Sequence, residues 1–187
     1  MPGPFAYEDA SERFEVLSRG DHVPGRLWLA AGGPPRPLVL LVPALGAGKD
    51  AGEVVALGRH LAGDGWAAAA IDLPLQGERA STKLSARLAT CAARESRTAG
   101  DRLLWEEFLR QAALDLAAAR DVLAKRREID AARVACIAYE AAAAAAEAWA
   151  SRDAGVAPCL RAERAAPPAR LGAELRRTFA DAASAAR

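Results

Sequence analysis

The sequence predicts an α/β fold with a mainly parallel sheet of about six strands. Continuous apolar runs alternate with helical segments along most of its 187 residues. Runs of that kind are typical of strands buried on both faces. Strands that alternate with helices favour a parallel sheet with right-handed crossovers and helices on both faces, which is a three-layer sandwich.

The predicted strands follow from the pattern of apolar residues. Phe14–Ser18 alternates apolar and polar residues, and a turn at 20–22 joins it to a second extended run over Val23–Ala30. Three fully apolar strands are then predicted, and a last strand follows them. These four are Leu38–Val42, Trp66–Ile71, Arg133–Ala138 and Val156–Arg161.

Five helices are predicted between and after these strands. They cover 50–63, 83–93, 101–125, 141–150 and 169–184. Asp50 occupies the place of an N-cap for the first helix. The third helix has the clearest apolar side, and Asp115 is predicted to lie away from that side. The fourth helix is almost pure alanine, which forms helices well and is slim enough to lie close to a sheet.

Composition limits the classes of function. We expect one domain over 1–187, with an N-terminal extension over 1–13 and a C-terminal helix and tail over 169–187. The formal net charge of +1 gives no support to nucleic-acid binding, and no apolar run reaches the roughly 18 residues of a membrane span. We therefore expect neither nucleic-acid nor membrane partners.

The three cysteines are widely spaced. Cys91, Cys136 and Cys159 form no CxxC pair and no cluster with histidine. This pattern predicts a reduced, cytoplasmic protein with ordinary thiols. We expect no metal site and no cofactor.

Candidate chemistry lies where the parallel strands end, because ligands of open α/β sheets bind beyond the carboxyl ends of the strands. Three such ends are visible in the sequence, at 42–50, 72–79 and 138–142. The second has the pattern Asp-x-Pro-x-x-Gly-Glu-Arg. The third passes from a strand into the alanine helix with almost no spacer.

Taken together, the three ends resemble the α/β-hydrolase superfamily, and in particular its dienelactone-hydrolase and bacterial-esterase branch. The resemblance extends from about residue 14 to residue 168, and the Asp72–Arg79 pattern is kept in full. It implies that 138–142 is the nucleophile elbow, whose family pattern is Gly-x-Ser-x-Gly. It also implies that the chain is truncated, since the family continues through further strands.

The elbow departs from the family pattern. Ala138 and Ala142 replace the glycines, and Glu140 replaces the nucleophile. Alanine meets the need for small residues at such a turn. A glutamate offers no hydroxyl or thiol for acyl transfer, and its charge repels a developing oxyanion. Glu140 is therefore either an unusual nucleophile or base, or a remnant without a reaction.

The resemblance implies further site residues. Leu45 and Ala141 match the two backbone N–H donors of the family's oxyanion hole. Pro43 and Ala44 stand where the family has a His-Gly pair, and they are pocket candidates. Glu78 and Tyr139 complete the set of pocket candidates.

The sequence contains no histidine beyond His60, and the other histidine, His22, falls in the early hairpin. Neither matches the family's catalytic histidine. The sequence therefore predicts an inactive relative of the hydrolases, with a role in small-molecule binding or association. The alternatives are an ester or lactone hydrolase that uses Glu140, a structural homodimer that pairs through an edge strand or the C-terminal helix, and a fragment or decayed gene without activity.

Overall fold

A computed structural model of the chain describes residues 11–93, 98–153, 155–156 and 159–185. Within these residues, one sheet of six strands is flanked by five helices. The strands are β1 (Ser11–Ser18), β2 (Asp21–Trp28), β3 (Arg36–Val42), β4 (Ala67–Ile71), β5 (Ile129–Tyr139) and β6 (Leu160–Ala162). The helices are α1 (Gly52–Gly63), α2 (Thr82–Ala92), α3 (Ala99–Leu123), α4 (Ala143–Ala150) and α5 (Pro168–Ala185).

The strand order across the sheet is β1-β2-β4-β3-β5-β6. β1 and β2 form an antiparallel hairpin, and β2 is also antiparallel to β4. The remaining strands run parallel, with β3 at the centre between β4 and β5. The predicted mainly parallel, six-stranded sheet is confirmed.

The two faces of the sheet are covered by different helices. Leu38, Leu40 and Val42 belong to a core cluster that includes the buried side chains of α3 and α4, and we name this side the α3 face. Val39 and Leu41 point the other way, into a cluster with α1 and α5 on the α1 face. Period-two alternation along β3 therefore produces the predicted three-layer sandwich.

Alanine fills much of this interior. β4 contributes a run of alanines over 67–70, all fully buried, and α4 contributes Ala143, Ala145 and Ala146. α4 lies against both α3 and β5. Side chains of one methyl group allow helix and sheet backbones to approach closely, so the helix predicted as nearly pure alanine packs as expected.

Element boundaries differ from the predictions at the two ends of the sheet. β1 begins at Ser11, inside the segment predicted as an N-terminal extension, and residues 1–10 lie outside the described part. β6 is shorter than the predicted Val156–Arg161. Val156 forms an isolated bridge to Val134, but the register between the two strands then shifts by one residue, so a continuous ladder does not form. Residues 157–158 lie outside the described part.

The predicted helix cap at Asp50 is wrong. α1 has Ala51 as its N-cap, without a capping hydrogen bond from that side chain. Asp50 instead accepts a hydrogen bond from Arg26 at 2.7 Å and lies 3.3 Å from the ammonium of Lys49. Charged partners outside the helix have outcompeted the backbone N–H groups, since ion-paired hydrogen bonds are the stronger kind.

None of the helices in the described ranges combines the length and the apolar character needed to cross a membrane.

Gly58 tests how closely α1 approaches the sheet. A Cβ at this buried position would lie 2.4 Å from the ring of Trp28, which is itself buried in β2. We expect Gly58→Ala to lower the free energy of unfolding by about 1 to 3 kcal/mol, because the ring has no free space to move into. Urea denaturation followed by circular dichroism measures the change.

Gly63 is the matched control, because it lies in the same helix and a Cβ there meets nothing within 4 Å. Gly63→Ala is expected to be neutral or slightly stabilising, as alanine has the higher helix propensity. Equal effects of the two substitutions would contradict the close approach of α1 to Trp28.

Candidate functional site

The connection between β5 and α4 is a sharp corner. β5 ends at Tyr139, a single 3-10 turn covers Glu140–Ala142, and α4 follows at once. Glu140 at the apex has a φ of 52°, a left-handed conformation that is strained for a residue other than glycine. A strained apex residue between a strand and a helix is the geometry of a nucleophile elbow.

Small residues make the corner sterically feasible. Ala138 and Ala142, two residues before and after the apex, are both fully buried. Larger side chains at these places would separate the strand from the helix. Alanine at both places therefore meets the steric requirement of such a corner.

The carboxylate of Glu140 forms an ion pair. Arg164, which follows β6, places its Nε 3.3 Å from Oε2 of Glu140, and about half of each side chain is exposed. The same guanidinium donates through Nη2 to the carbonyl oxygen of Leu45 at 3.0 Å. Arg164 therefore links the apex of the elbow to the loop that follows β3.

Leu45, one of the two predicted backbone donors, lies in a fixed turn. The N–H of Ala47 donates to the carbonyl of Ala44 at 3.0 Å, and the N–H of Gly46 donates to Oε1 of Gln76 at 2.5 Å. These bonds hold the loop after β3 against the loop after β4. Ala141, the other predicted donor, lies next to the apex. Their role as oxyanion donors stays a prediction.

A cleft of about 620 Å³ lies beside the apex. Glu140, Ala141 and Ala144 line it from the elbow and α4, Arg102 and Trp105 from α3, and Arg161 from β6. This volume is within the range of small-molecule sites. With Asp101 and Cys91 also in its lining, the cleft brings two carboxylates, two guanidinium groups, a thiol and an indole ring together at the carboxyl end of the sheet.

The four predicted pocket candidates lie outside the residues that line this cleft. Pro43 and Ala44 are buried where β3 ends. Tyr139 is buried on the α1 face, where its hydroxyl donates to the carbonyl of Glu53 at 3.4 Å. Burial raises the pKa of Tyr139 to about 12. Residues next to each other on a strand face opposite ways, which is why Tyr139 points away from the α3 face.

Glu78, the fourth candidate, is the exposed member of an ion network at the ends of β3 and β4. Oε1 of Glu78 lies 2.5 Å from the ammonium of Lys49, which in turn lies 3.0 Å from Oδ2 of Asp72. Lys49 and Asp72 are 2% and 1% exposed. The Asp72 carboxylate also accepts the backbone N–H groups of Lys49 at 2.8 Å and Glu78 at 3.0 Å.

The network changes the ionisation of its members. Burial opposes the charge on Lys49, but hydrogen bonds to Glu78 and Asp72 outweigh burial and raise the pKa of the ammonium. The hydrogen bond from Lys49 lowers the pKa of Glu78. Both shifts favour the charged forms, so the network is an ion pair at neutral pH rather than a neutral acid beside a neutral amine.

The last residue of the Asp72–Arg79 pattern anchors the loop to α3. Arg79 donates to the carbonyl oxygen of Asp72 at 3.0 Å and to Oδ2 of Asp115 at 2.7 Å. Asp115 is fully buried, so the prediction that it lies away from the apolar side of α3 is wrong. A buried arginine partner from a distant loop makes burial of this carboxylate feasible, and Gln111 donates a further hydrogen bond at 3.1 Å.

Both histidines lie away from the elbow. Nδ1 of His22 lies 2.7 Å from Oε1 of Glu15 in the exposed hairpin. His60 lies in the last turn of α1, and its Nε2 is 3.6 Å from the carboxylate of Asp64, which follows the helix. Neither lines the cleft. Within the described ranges, no group of three potential metal ligands lies together.

Several residues at the site were not predicted from the sequence. Trp105 lies on the apolar side predicted for α3, and no role was predicted for Arg102 and Arg161 in the cleft or for Arg164 at the apex. These residues are distant from the elbow in sequence or separated from it by other elements, and only the folded chain brings them close to it. One signal was available for Trp105, because its position near the start of α3 places it at the same end of the sheet as the elbow.

Comparison with solved structures identifies the fold. A cold-adapted esterase from an Arctic intertidal metagenomic library matches with a TM-score of 0.61 at 21% sequence identity. A dienelactone hydrolase-like promiscuous phosphotriesterase from metagenomic libraries matches with a TM-score of 0.60 at 24% identity. The 2,6-dihydroxy-pseudo-oxynicotine hydrolase matches with a TM-score of 0.51 at 20% identity. The chain thus has the α/β-hydrolase fold, and the expected likeness to esterases and dienelactone hydrolases is confirmed for the fold.

The matches cover most of this chain but only part of each solved structure. They cover 81% of the chain in the first two cases and 79% in the third, against 59%, 58% and 35% of the matched proteins. The chain therefore spans less than two thirds of their length. Comparisons with protein-family models and with curated proteins gave no match.

The buried ammonium of Lys49 should be necessary for stability. We expect Lys49→Met to lower the free energy of unfolding by about 3 kcal/mol, because it leaves the Asp72 carboxylate buried without its cation. Chemical denaturation at neutral pH measures the loss. Lys83→Met on the exposed side of α2 is the control, with an expected change within about 0.5 kcal/mol.

The same variant should change the pH dependence of stability. The lowered pKa of Glu78 stabilises the fold above its ordinary value of 4.5, and this contribution is lost as pH falls through the lowered value. The raised pKa of Lys49 stabilises below its ordinary 10.5 and is lost as pH rises through the raised value. In Lys49→Met, the free energy of unfolding should therefore change less with pH, both at acidic and at alkaline pH. An unchanged profile would contradict the network.

Proposed function

We propose that the chain is a noncatalytic protein of α/β-hydrolase fold, a pseudohydrolase, that binds a small molecule in the cleft beside the elbow. The observation that carries the proposal is the apex itself. It bears the carboxylate of Glu140, and Arg164 is paired with that carboxylate at 3.3 Å. In a working elbow, the apex side chain must be free to attack the substrate.

The chemistry of acyl transfer argues against catalysis at this apex. Such transfer needs a hydroxyl or thiol that a neighbouring base deprotonates, and Glu140 has neither. Its negative charge lies where an oxyanion would develop, so it destabilises the transition state. Arg164 offsets that charge, but it also bonds the carbonyl of Leu45 and occupies the space between the elbow and the predicted oxyanion donor.

The described fold supplies no imidazole to the elbow. His22 is paired with Glu15 in the hairpin, and His60 faces Asp64 on α1. A general base of the usual kind must lie within hydrogen-bond reach of the group it deprotonates. The absence of both histidines from the cleft lining supports a role other than hydrolysis.

The cleft supports binding. Trp105 offers an aromatic surface, and Arg102 and Arg161 offer hydrogen-bond donors. Arg161 is held in place by Glu147, 2.6 Å from its Nη2. Such a lining suits a small molecule with a flat apolar part and polar substituents.

Hydrolysis of p-nitrophenyl acetate and p-nitrophenyl butyrate tests the proposal. We expect the purified chain to release p-nitrophenol no faster than buffer, because no activated nucleophile lies at the apex. Glu140→Gln, which removes the charge and keeps the shape, should give the same background rate. Turnover well above buffer that disappears in Glu140→Gln would refute the noncatalytic role.

A second candidate function is an ester or lactone hydrolase with Glu140 as its nucleophile. The strained φ of 52° favours it, because that conformation is the one that presents an elbow nucleophile. In this case, intact-mass spectrometry after exposure to p-nitrophenyl butyrate should find an acyl adduct, and peptide mapping should place it on Glu140. The pseudohydrolase gives no adduct.

We also propose that the chain associates as a homodimer through the outer edge of β6 or through α5. β6 is the last strand in the order of the described sheet and is three residues long, and open edges tend to pair with another chain. Multi-angle light scattering should give about twice the 19.6 kDa mass of the chain at micromolar concentration. A mass of one chain would rule out the dimer.

A further inference from the structure

Two cysteines lie side by side where β6 joins the sheet. Ile137 of β5 pairs with Leu160 of β6 in parallel register. Cys159 immediately precedes β6, and extending this register by one residue places it beside Cys136 of β5. Adjacent strands lie about 4.8 Å apart, and a disulfide joins Cα atoms roughly 4.4 to 6.8 Å apart.

Both thiols face the same side of the sheet. Cys136 belongs to the core cluster of the α3 face, and Cys159 packs against that cluster. Ile137 and Leu160 belong to the α1 face instead. Interaction with the Cys159 thiol, together with burial, raises the pKa of Cys136. The strand register and the shared face place the two thiols next to each other, and the Cys159 thiol donates to the carbonyl oxygen of Leu160 at 3.7 Å.

We propose that Cys136 and Cys159 are an oxidisable thiol pair that forms an intrachain disulfide on exposure to a small-molecule disulfide. The two members have different access to solvent, because Cys136 is buried and Cys159 is partly exposed. Cys159 is therefore the residue that the oxidant reaches, and Cys136 is the residue that completes the bond.

The reaction is a double thiol–disulfide exchange. The Cys159 thiolate attacks one sulfur of the small disulfide, forms a mixed disulfide and expels one thiolate. Cys136 then loses its proton to the small thiolate released in the first step and attacks Sγ of Cys159 as a thiolate, which expels the second small thiolate; that thiolate takes a proton from water. Two protein thiols are oxidised, and one small disulfide is reduced to two thiols.

The disulfide would fix the start of β6 against β5. This strand pairs with β5 over three residues, so it depends on few backbone hydrogen bonds. It carries Arg161 into the cleft and leads to Arg164, the partner of Glu140. Oxidation would thus hold in place the edge that supplies both arginines, and the inference stands whether or not the cleft binds a ligand.

Cys91 provides an internal control. It lies on α2, outside the β5–β6 pair, and burial followed by the charge of Asp101 raises its pKa. It lies on a different element from the pair, so it is expected to stay a free thiol while the pair is oxidised. Its partial exposure is otherwise similar to that of Cys159.

The experiment uses the full chain with oxidised glutathione as the oxidant. Free thiols are alkylated with iodoacetamide after incubation, and unreduced peptides are mapped by mass spectrometry. We expect a linked peptide pair containing Cys136 and Cys159, formed independently of protein concentration, while Cys91 is alkylated. Cys91→Ser should form the same link, and Cys159→Ser should not.

Hydrogen exchange on the wild-type chain gives a second measurement that needs no variant to fold. The oxidised chain should exchange more slowly than the reduced chain over Leu160–Ala162, with α2 unchanged. A glutathione adduct that persists on Cys159, a disulfide to Cys91, or three free thiols would each overturn the proposal.

Discussion

The arrangement of the loops that follow β3 and β4 depends on the carboxylate of Asp72. This carboxylate is almost fully buried, and it accepts two backbone N–H groups and one ammonium from the loops that follow β3 and β4. Gly48 and Gly77 lie so close to it that a Cβ at either position would collide with its oxygens. The two loops are therefore built around one anion. Arg164 bonds both Glu140 and the carbonyl oxygen of Leu45, so the carboxylate of Asp72 also supports the loop that lies beside the apex.

This dependence means that the scaffold does not rest on the residue type at the apex of the elbow. The residues of the Asp72–Arg79 pattern hold loops, and Arg79 extends that support to Asp115 in α3. The elbow relies on small residues around a strained apex. Neither requirement involves a hydroxyl at position 140. A glutamate can therefore stand at the apex while the sheet, the corner and the cleft remain in place.

The sheet could be predicted from the sequence because each parallel strand is a continuous apolar run. The corner after β5 could be predicted because a strand meets an alanine helix without a spacer. The sequence was not sufficient for contacts between distant elements. Asp50 has the residue type and position of a helix cap, but Arg26 lies across the fold and binds it. Arg164 is one arginine among many, and only the path of the chain after β6 brings it to Glu140. The pairing of Cys136 with Cys159 likewise needs the register of β6, which no local pattern supplies.

The methyl-lined interior has a consequence for how the chain tolerates change. β4 and α4 contribute mainly alanine side chains to the interior, so a substitution in either element can remove very little side-chain volume. Nearly every replacement there adds atoms, and added atoms in a dense core strain their neighbours. Substitutions at the rim of the cleft and at the ends of the helices are therefore expected to cost less stability than substitutions in this centre.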